Sequence, residues 1–78
     1  MTNYYLINVP GKYGYSIPVC SNNITPDSFY MESEIIANAV KKNLFYDNEE
    51  AEYATVEEMT PYDIEHFSKP GMTIHNID

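Results

Sequence analysis

The fold is decided by residues 3–9, which read NYYLINV. Aromatic and β-branched residues dominate this run, and both kinds are enriched in strands. Because successive side chains of a strand point to opposite faces, Tyr5, Ile7 and Val9 share one face and the alternate residues share the other. Both faces are fairly apolar near the start, so this segment is predicted to be a central strand.

A second strand is predicted at Tyr15–Cys20, after a hairpin loop at Pro10–Gly14. The two glycines of that loop can adopt positive φ. The strand alternates apolar residues with others, but it contains Pro18, which has no N–H to donate to a ladder. We therefore expect this strand at an edge of the sheet, or a bulge at Pro18.

The main helix is predicted at Glu32–Leu44, where apolar residues recur at the i, i+4 spacing and form one stripe. The stripe consists of Ile35, Ile36, Ala39, Val40 and Leu44. Acids stand early in the segment and lysines stand late, which suits the helix dipole at both ends. This helix is expected to pack its stripe across the sheet.

A third strand is predicted at Glu52–Met59, and a short helix follows it. Thr60 is the expected N-cap, Pro61 takes the first helical position, and Asp63 stands three residues after the cap. Asp is a shorter equivalent of the Glu found in a capping box. The combination predicts where this second helix begins.

The short helix is expected to turn Ile64 and Phe67 toward the core, and Lys69–Gly71 ends it. The tail, Met72–Asp78, either adds an edge strand or frays. We predict one α+β domain over residues 1–78, with element order β-β-α-β-α. Its small antiparallel sheet has three or four strands, with the main helix packed on it.

The charge of the chain narrows the classes of partner. The net charge is −8, from twelve acids against four basic residues. This negative charge disfavours direct nucleic-acid binding, which depends on Lys and Arg contacts to phosphate. It also disfavours attraction to anionic lipid. It favours encounter with a basic protein. The chain has a single cysteine and therefore no internal disulfide, which suits a reducing compartment. Its sequence shows no leader pattern and no membrane-spanning pattern, so we expect a cytoplasmic protein.

The acids concentrate in residues 47–65, which contain no Lys or Arg and are called the acidic segment below. Its acids are Asp47, Glu49, Glu50, Glu52, Glu57, Glu58, Asp63 and Glu65. One interpretation is a solvated face that keeps a small protein soluble. The functional interpretation is a rigid negative surface whose carboxylates take the positions of phosphates in a basic groove.

Tyrosines stand among the acids of the acidic segment. Tyr accounts for eight of the aromatic residues, beside three Phe and no Trp, and most of them are expected to fill the sheet face and its edges. Tyr is also enriched at binding hot spots, and its ring stacks with Arg. The predicted partner-binding residues are Glu49, Glu50, Glu52, Tyr53, Glu57, Glu58, Tyr62, Asp63 and Glu65.

We predict no catalytic residue, no cofactor and no metal site, and so no enzyme. Residues 47–52 offer oxygen ligands for Ca²⁺ or Mg²⁺ but lack the twelve-residue calcium-loop pattern. The spacing of Cys20, His66 and His75 matches no zinc motif. A cysteine in a strand-like run is usually a small hydrophobe.

Three stretches carry a resemblance at the level of architecture and charge: the strand YYLINV, the helix ESEIIANAVKKNLF and the end EEAEYATVEEMTPYDIEHF. With them the chain resembles small acidic phage and mobile-element proteins of the anti-CRISPR and anti-restriction kind. The resemblance implies a DNA mimic in the bacterial host cell. Such a protein is a stoichiometric, non-enzymatic inhibitor that occupies the nucleic-acid-binding surface of a defence complex, for example a CRISPR effector.

Two other classes of function stay open at this point. One is a general protein-interaction module, either a monomer or a homodimer joined through an edge strand, whose acids only confer solubility. The other is a small-ligand-binding protein with tyrosines lining a pocket.

Overall fold

Four strands and two α-helices form the computed structural model, which describes residues 1–78. The elements are β1 (Asn3–Val9), β2 (Tyr15–Ser21), α1 (Met31–Lys41), a 3-10 helix (Asn48–Glu52), β3 (Thr55–Glu58), α2 (Pro61–Phe67) and β4 (His75–Asn76). The predicted α+β class is confirmed, and so is the predicted order β-β-α-β-α, with an unpredicted 3-10 helix between α1 and β3. The tail supplies the fourth strand.

The sheet has the strand order β3-β1-β2-β4, with β1 inside it as the sequence predicted. β1 pairs antiparallel with β2 and with β3. β4 pairs parallel with β2, so the sheet is mixed, and the expectation of a purely antiparallel sheet is wrong for this pair. The reason is the connection through α2, which carries the chain from β3 at one edge to β4 at the other.

The prediction that β2 lies at an edge is wrong for its second half. The Cys20 carbonyl accepts a hydrogen bond from the Ile77 N–H (3.1 Å), so the backbone groups of Pro18 and Cys20 face β4 rather than β1. Pairing with β4 begins at Val19, opposite His75. Pro18 has no N–H on that side, which explains why the parallel ladder does not extend toward Tyr15.

The main core lies between the sheet and α1. Its fully buried centre is built from the predicted face of β1, from β2 and from the stripe of α1: Tyr5, Ile7, Val19, Ile35 and Ala39. Tyr5 also donates its hydroxyl hydrogen to the Ile24 carbonyl (2.8 Å), so the ring is buried without an unsatisfied polar atom. Ile77, just after β4, closes the same cluster.

The other sheet face holds one buried apolar residue of β1, Leu6. Leu6 points there, because it alternates with Tyr5 and Ile7, and it is buried outside the main cluster. No residue of α2 is buried, and Ile64 and Phe67 are only partly covered. The prediction that these two side chains face the core is therefore wrong for the main core.

α1 ends at Lys41, three residues earlier than predicted. Asn43 follows with a φ of 57°, and the Asn43 N–H donates to the Val40 carbonyl at 3.0 Å. The Leu44 N–H donates to the Ala39 carbonyl at 3.0 Å. These two bonds form a Schellman motif, which stops the helix before its apolar stripe runs out. Neither helix has the length and apolar character needed to cross a membrane.

Candidate functional site

The first part of the acidic segment is a 3-10 helix rather than the start of a strand. Its N-cap is Asp47, whose Oδ1 accepts a hydrogen bond from the Glu49 N–H (3.0 Å). In return, Glu50 Oε1 accepts from the Asp47 N–H (3.0 Å), which completes a capping box. This local motif delays β3 to Thr55, although a strand was predicted from Glu52.

Tyr15 fastens this turn to the sheet. Its hydroxyl donates to Glu50 Oε1 (2.9 Å) and accepts from the Tyr46 N–H (3.1 Å). The rings of Tyr15 and Tyr46 meet edge to face, with centroids 4.8 Å apart. Burial raises the pKa of the Tyr15 hydroxyl. The hydrogen bond from the Tyr46 N–H lowers this pKa, and the neighbouring Glu50 carboxylate raises it further. The acidic turn is therefore held to β2 by three contacts.

Two acids of the predicted set serve the fold directly. Glu50 carries two hydrogen bonds on one oxygen and is partly covered. Asp63 Oδ2 accepts from the Thr60 N–H (3.0 Å), and the Asp63 N–H donates to Thr60 Oγ1 (3.1 Å). The predicted capping box of α2 is thus confirmed. These two carboxylates are less free to contact a partner than the sequence indicated.

The remaining acids of the set are exposed and lie on three successive elements. They are Glu49 and Glu52 on the 3-10 helix, Glu57 and Glu58 on β3, and Glu65 on α2. Each stands on a hydrogen-bonded element, and its backbone is therefore fixed. No basic residue stands among these five, and Glu57 and Glu58, as successive residues of β3, point to opposite faces of the sheet at its edge.

Aromatic rings are exposed within the same segment. Tyr53 is 68% exposed and Tyr62 is 77% exposed, as a contact role would require. Tyr46, directly before the segment, is 89% exposed despite its contact with Tyr15. The position of Tyr46 beside Asp47 in the sequence indicated a mixed aromatic and acidic patch with Tyr53 and Tyr62, but Tyr46 was left out of the predicted partner-binding set.

Glu32, on the first turn of α1, contacts the acidic segment from outside it. Its Oε2 accepts a hydrogen bond from the Val56 N–H of β3 (3.2 Å). Sequence reasoning assigned Glu32 only to the helix dipole. Nothing in a one-dimensional pattern places a side chain against a backbone group 24 residues away.

The groups considered for nucleophilic or metal chemistry are Cys20, His66 and His75, and they do not form one cluster. Cys20 is partly buried, and burial together with Asp78 raises its pKa, which disfavours the thiolate. His75 lies opposite Val19, so its side chain and that of Cys20 point to different sheet faces. The ring of His66 stacks edge to face on Phe67 at 4.9 Å. No three His, Cys, Asp or Glu side chains are grouped as metal ligands.

The surface has three open grooves, of about 350, 210 and 210 Å³. The largest crosses three strands at the polar side chains of Asn8, Ser16 and Thr55. Ser16 donates its hydroxyl hydrogen to Asn8 Oδ1 (2.7 Å) there. One tyrosine, Tyr15, contributes to this groove, and Tyr15 and Tyr46 both line the second groove.

No known family model matches the chain, and neither a curated protein nor a solved structure is significantly similar to it.

Proposed function

We propose that this protein binds a basic, nucleic-acid-handling protein and competes with nucleic acid for its groove. The acidic segment is the contact surface, with Glu49, Glu52, Glu57, Glu58 and Glu65 as the charged contacts. Tyr53 and Tyr62 supply exposed rings beside them. Following the resemblance of the sequence, the target class is a bacterial defence complex such as a CRISPR effector, and the protein is a phage-type, non-enzymatic inhibitor.

The supporting observation is that five exposed carboxylates stand on hydrogen-bonded elements. A disordered acidic tail would lose conformational entropy when it binds, whereas these backbones are already ordered. Charge complementarity raises the rate of encounter and selects basic partners. Fixed carboxylates also accept paired hydrogen bonds from Arg, as phosphates do.

Charge alone does not account for tight binding. Exposed ion pairs contribute about 0–1 kcal/mol each, so five of them give a few kcal/mol at most. A micromolar complex needs about 8 kcal/mol. The exposed rings of Tyr46, Tyr53 and Tyr62 are the groups that can supply the remainder, because Tyr is enriched among residues that dominate interface energies.

The test is a pull-down from bacterial lysate, followed by DNA displacement from the purified partner. Purified CRISPR effectors are the first candidates. Retention is compared in washes at about 0.1 M and about 1 M NaCl, where the Debye length falls from about 10 Å to about 3 Å. We expect loss of the partner at the higher salt and displacement of labelled DNA by the free protein.

A matched pair of charge variants separates a specific surface from net charge. The double variant Glu49→Lys with Glu52→Lys should weaken binding about tenfold or more, which corresponds to about 1.4 kcal/mol. The control, Asp27→Lys with Glu34→Lys, changes the net charge equally at exposed positions outside the segment. Equal losses in both variants, or a salt-independent complex, would contradict the proposal.

A further inference from the structure

The outer edge of β3 is an unpaired strand edge. β3 is the first strand in the order β3-β1-β2-β4, so only β1 lies beside it. The Met59 N–H donates to the Tyr4 carbonyl (3.0 Å), which fixes the direction of alternate backbone groups. Thr55 and Glu57 face β1, while Val56 and Glu58 direct their N–H and C=O groups away from the sheet.

A carboxylate occupies one of these outward positions. Glu32 Oε2 lies 3.2 Å from the Val56 N–H, where the carbonyl of an additional strand would lie. The outward groups of Glu58 are on the same edge, and three of the four residues of β3 are exposed. The edge is therefore open to a partner. One of its backbone donors, the Val56 N–H, is bonded only to the side chain of Glu32, which an added strand can displace.

The opposite side of the sheet is a poorer place for strand addition. β4 has two residues, His75 and Asn76. The part of β2 that β4 leaves uncovered ends at Pro18, which has no N–H to donate. Strand addition depends on a row of backbone donors and acceptors, so β3 offers the better edge.

Charge decides what can occupy this edge. Glu57 and Glu58 lie on β3, and Glu32 lies beside it. A second copy of the chain added through its own β3 would bring these carboxylates against one another, and facing like charges are destabilising. A strand that carries Lys or Arg would place cations beside the same carboxylates.

We propose that an extended, Lys- or Arg-bearing segment of the protein partner adds to β3 as a fifth strand. Its backbone carbonyl takes the Val56 N–H from Glu32, and the released carboxylate pairs with a basic side chain of the segment. This rests on the proposed function, since it assumes a basic partner, and it identifies the part of that partner that is held.

The probe is a synthetic six-residue peptide of alternating Lys and Val, blocked at both ends. Binding is followed by NMR through the amide signals of Val56 and Glu58. Two variants remove the same charge: Glu58→Gln keeps the outward N–H, and Glu58→Pro removes it while sparing the Met59–Tyr4 bond. We expect Glu58→Pro to bind the peptide at least about tenfold more weakly than Glu58→Gln.

A second comparison does not depend on the folding of the proline variant. The same peptide with an N-methyl group on every residue keeps its charge but has no backbone N–H to donate, and the methyl groups block strand pairing along both of its edges, so it should not shift the Val56 amide of the unaltered protein. Equal binding of both peptides, together with equal affinities of the two Glu58 variants, would overturn strand addition. The proposed function would survive that outcome, because it is tested separately, by the salt dependence of the complex and by the comparison of Glu49→Lys with Glu52→Lys against its charge-matched control.

Discussion

Ser21 and Asp78 form the polar connection between the tail and the sheet. Ser21 is fully buried, and its hydroxyl donates to Asp78 Oδ1 while it accepts from the N–H groups of Asn23 (3.1 Å) and Ile24 (2.9 Å). Asp78 Oδ2 accepts from the Asn22 N–H at 2.7 Å. The tail is thus fastened by its last side chain, beside the buried Ile77.

The attachment of the tail should depend on pH. The pKa of Asp78 lies below its ordinary value, because its carboxylate accepts hydrogen bonds from Ser21 and Asn22. The ionised form therefore adds stability that is complete above the ordinary Asp pKa of about 3.9 and is lost as pH falls through the lowered pKa. We expect the Asn22 amide signal to shift below about pH 4 as the tail detaches, as measured by NMR.

Asp78→Asn provides the control for this titration. The variant lacks the titrating group, so its Asn22 amide should show no transition in the same pH range. A transition of equal size in Asp78→Asn would assign the change to other carboxyl groups and contradict the interpretation.

For single residues, the sequence predicted helix caps better than it predicted hydrogen bonds between side chains and distant residues. Thr60, Pro61 and Asp63 were predicted as a helix start because a capping box uses neighbours within four residues. The hydrogen bonds of Glu50 to Tyr15 and of Glu32 to Val56 were not predictable, since each joins residues that are far apart in sequence. Of the acids predicted for partner contact, Glu50 and Asp63 serve the fold as well.

Element boundaries follow local hydrogen bonding more than hydrophobic pattern. The apolar stripe of α1 continues to Leu44, but the left-handed conformation of Asn43 ends the helix at Lys41. The capping box at Asp47 likewise turns residues 48–52 into a 3-10 helix. The sequence signal for the end of α1 was Asn43, because Asn tolerates the left-handed conformation. The signal for the 3-10 helix was Asp47, because Asp favours turns in which its side chain bonds to nearby backbone groups.

Asn43 should have a measurable effect on stability at the end of α1. Asn43→Ala places a β-carbon at a φ of 57°, and a left-handed residue other than Gly costs about 1–2 kcal/mol. Since Asn tolerates this region better than Ala, we expect a loss of about 1 kcal/mol in the free energy of unfolding, measured with urea. Asn43→Gly should be at least as stable as the unaltered protein, and a loss in both variants would exclude a conformational cause.

For the whole molecule, the excess of negative charge has two opposite consequences. The net charge of −8 on 78 residues produces self-repulsion in the folded state. Salt screens that repulsion, but it also screens attraction to a basic partner. The free protein and the complex should therefore respond to salt in opposite directions.

We expect the thermal midpoint of the free protein to rise by a few degrees between about 0.01 M and about 0.15 M NaCl. The Debye length falls from about 30 Å to about 8 Å over this range, and about 1 kcal/mol shifts the midpoint of a domain this small by about 4–8 °C. Circular dichroism during heating measures it. The variant Glu49→Lys with Glu52→Lys, which has less charge to screen, should show a smaller rise, and an equal or larger one would count against self-repulsion.

The α+β class, the inner position of β1, the start of α2 and the acidic character of residues 47–65 could all be predicted from the amino-acid sequence. All of these depend on composition, on periodicity or on neighbours within a few residues. The parallel pairing of β4 with β2, the position of Ile77 in the core and the identity of the free carboxylates became known only from the folded chain. Those outcomes depend on contacts between distant residues, whose pairing is set by how the sheet and α1 bury their apolar faces together.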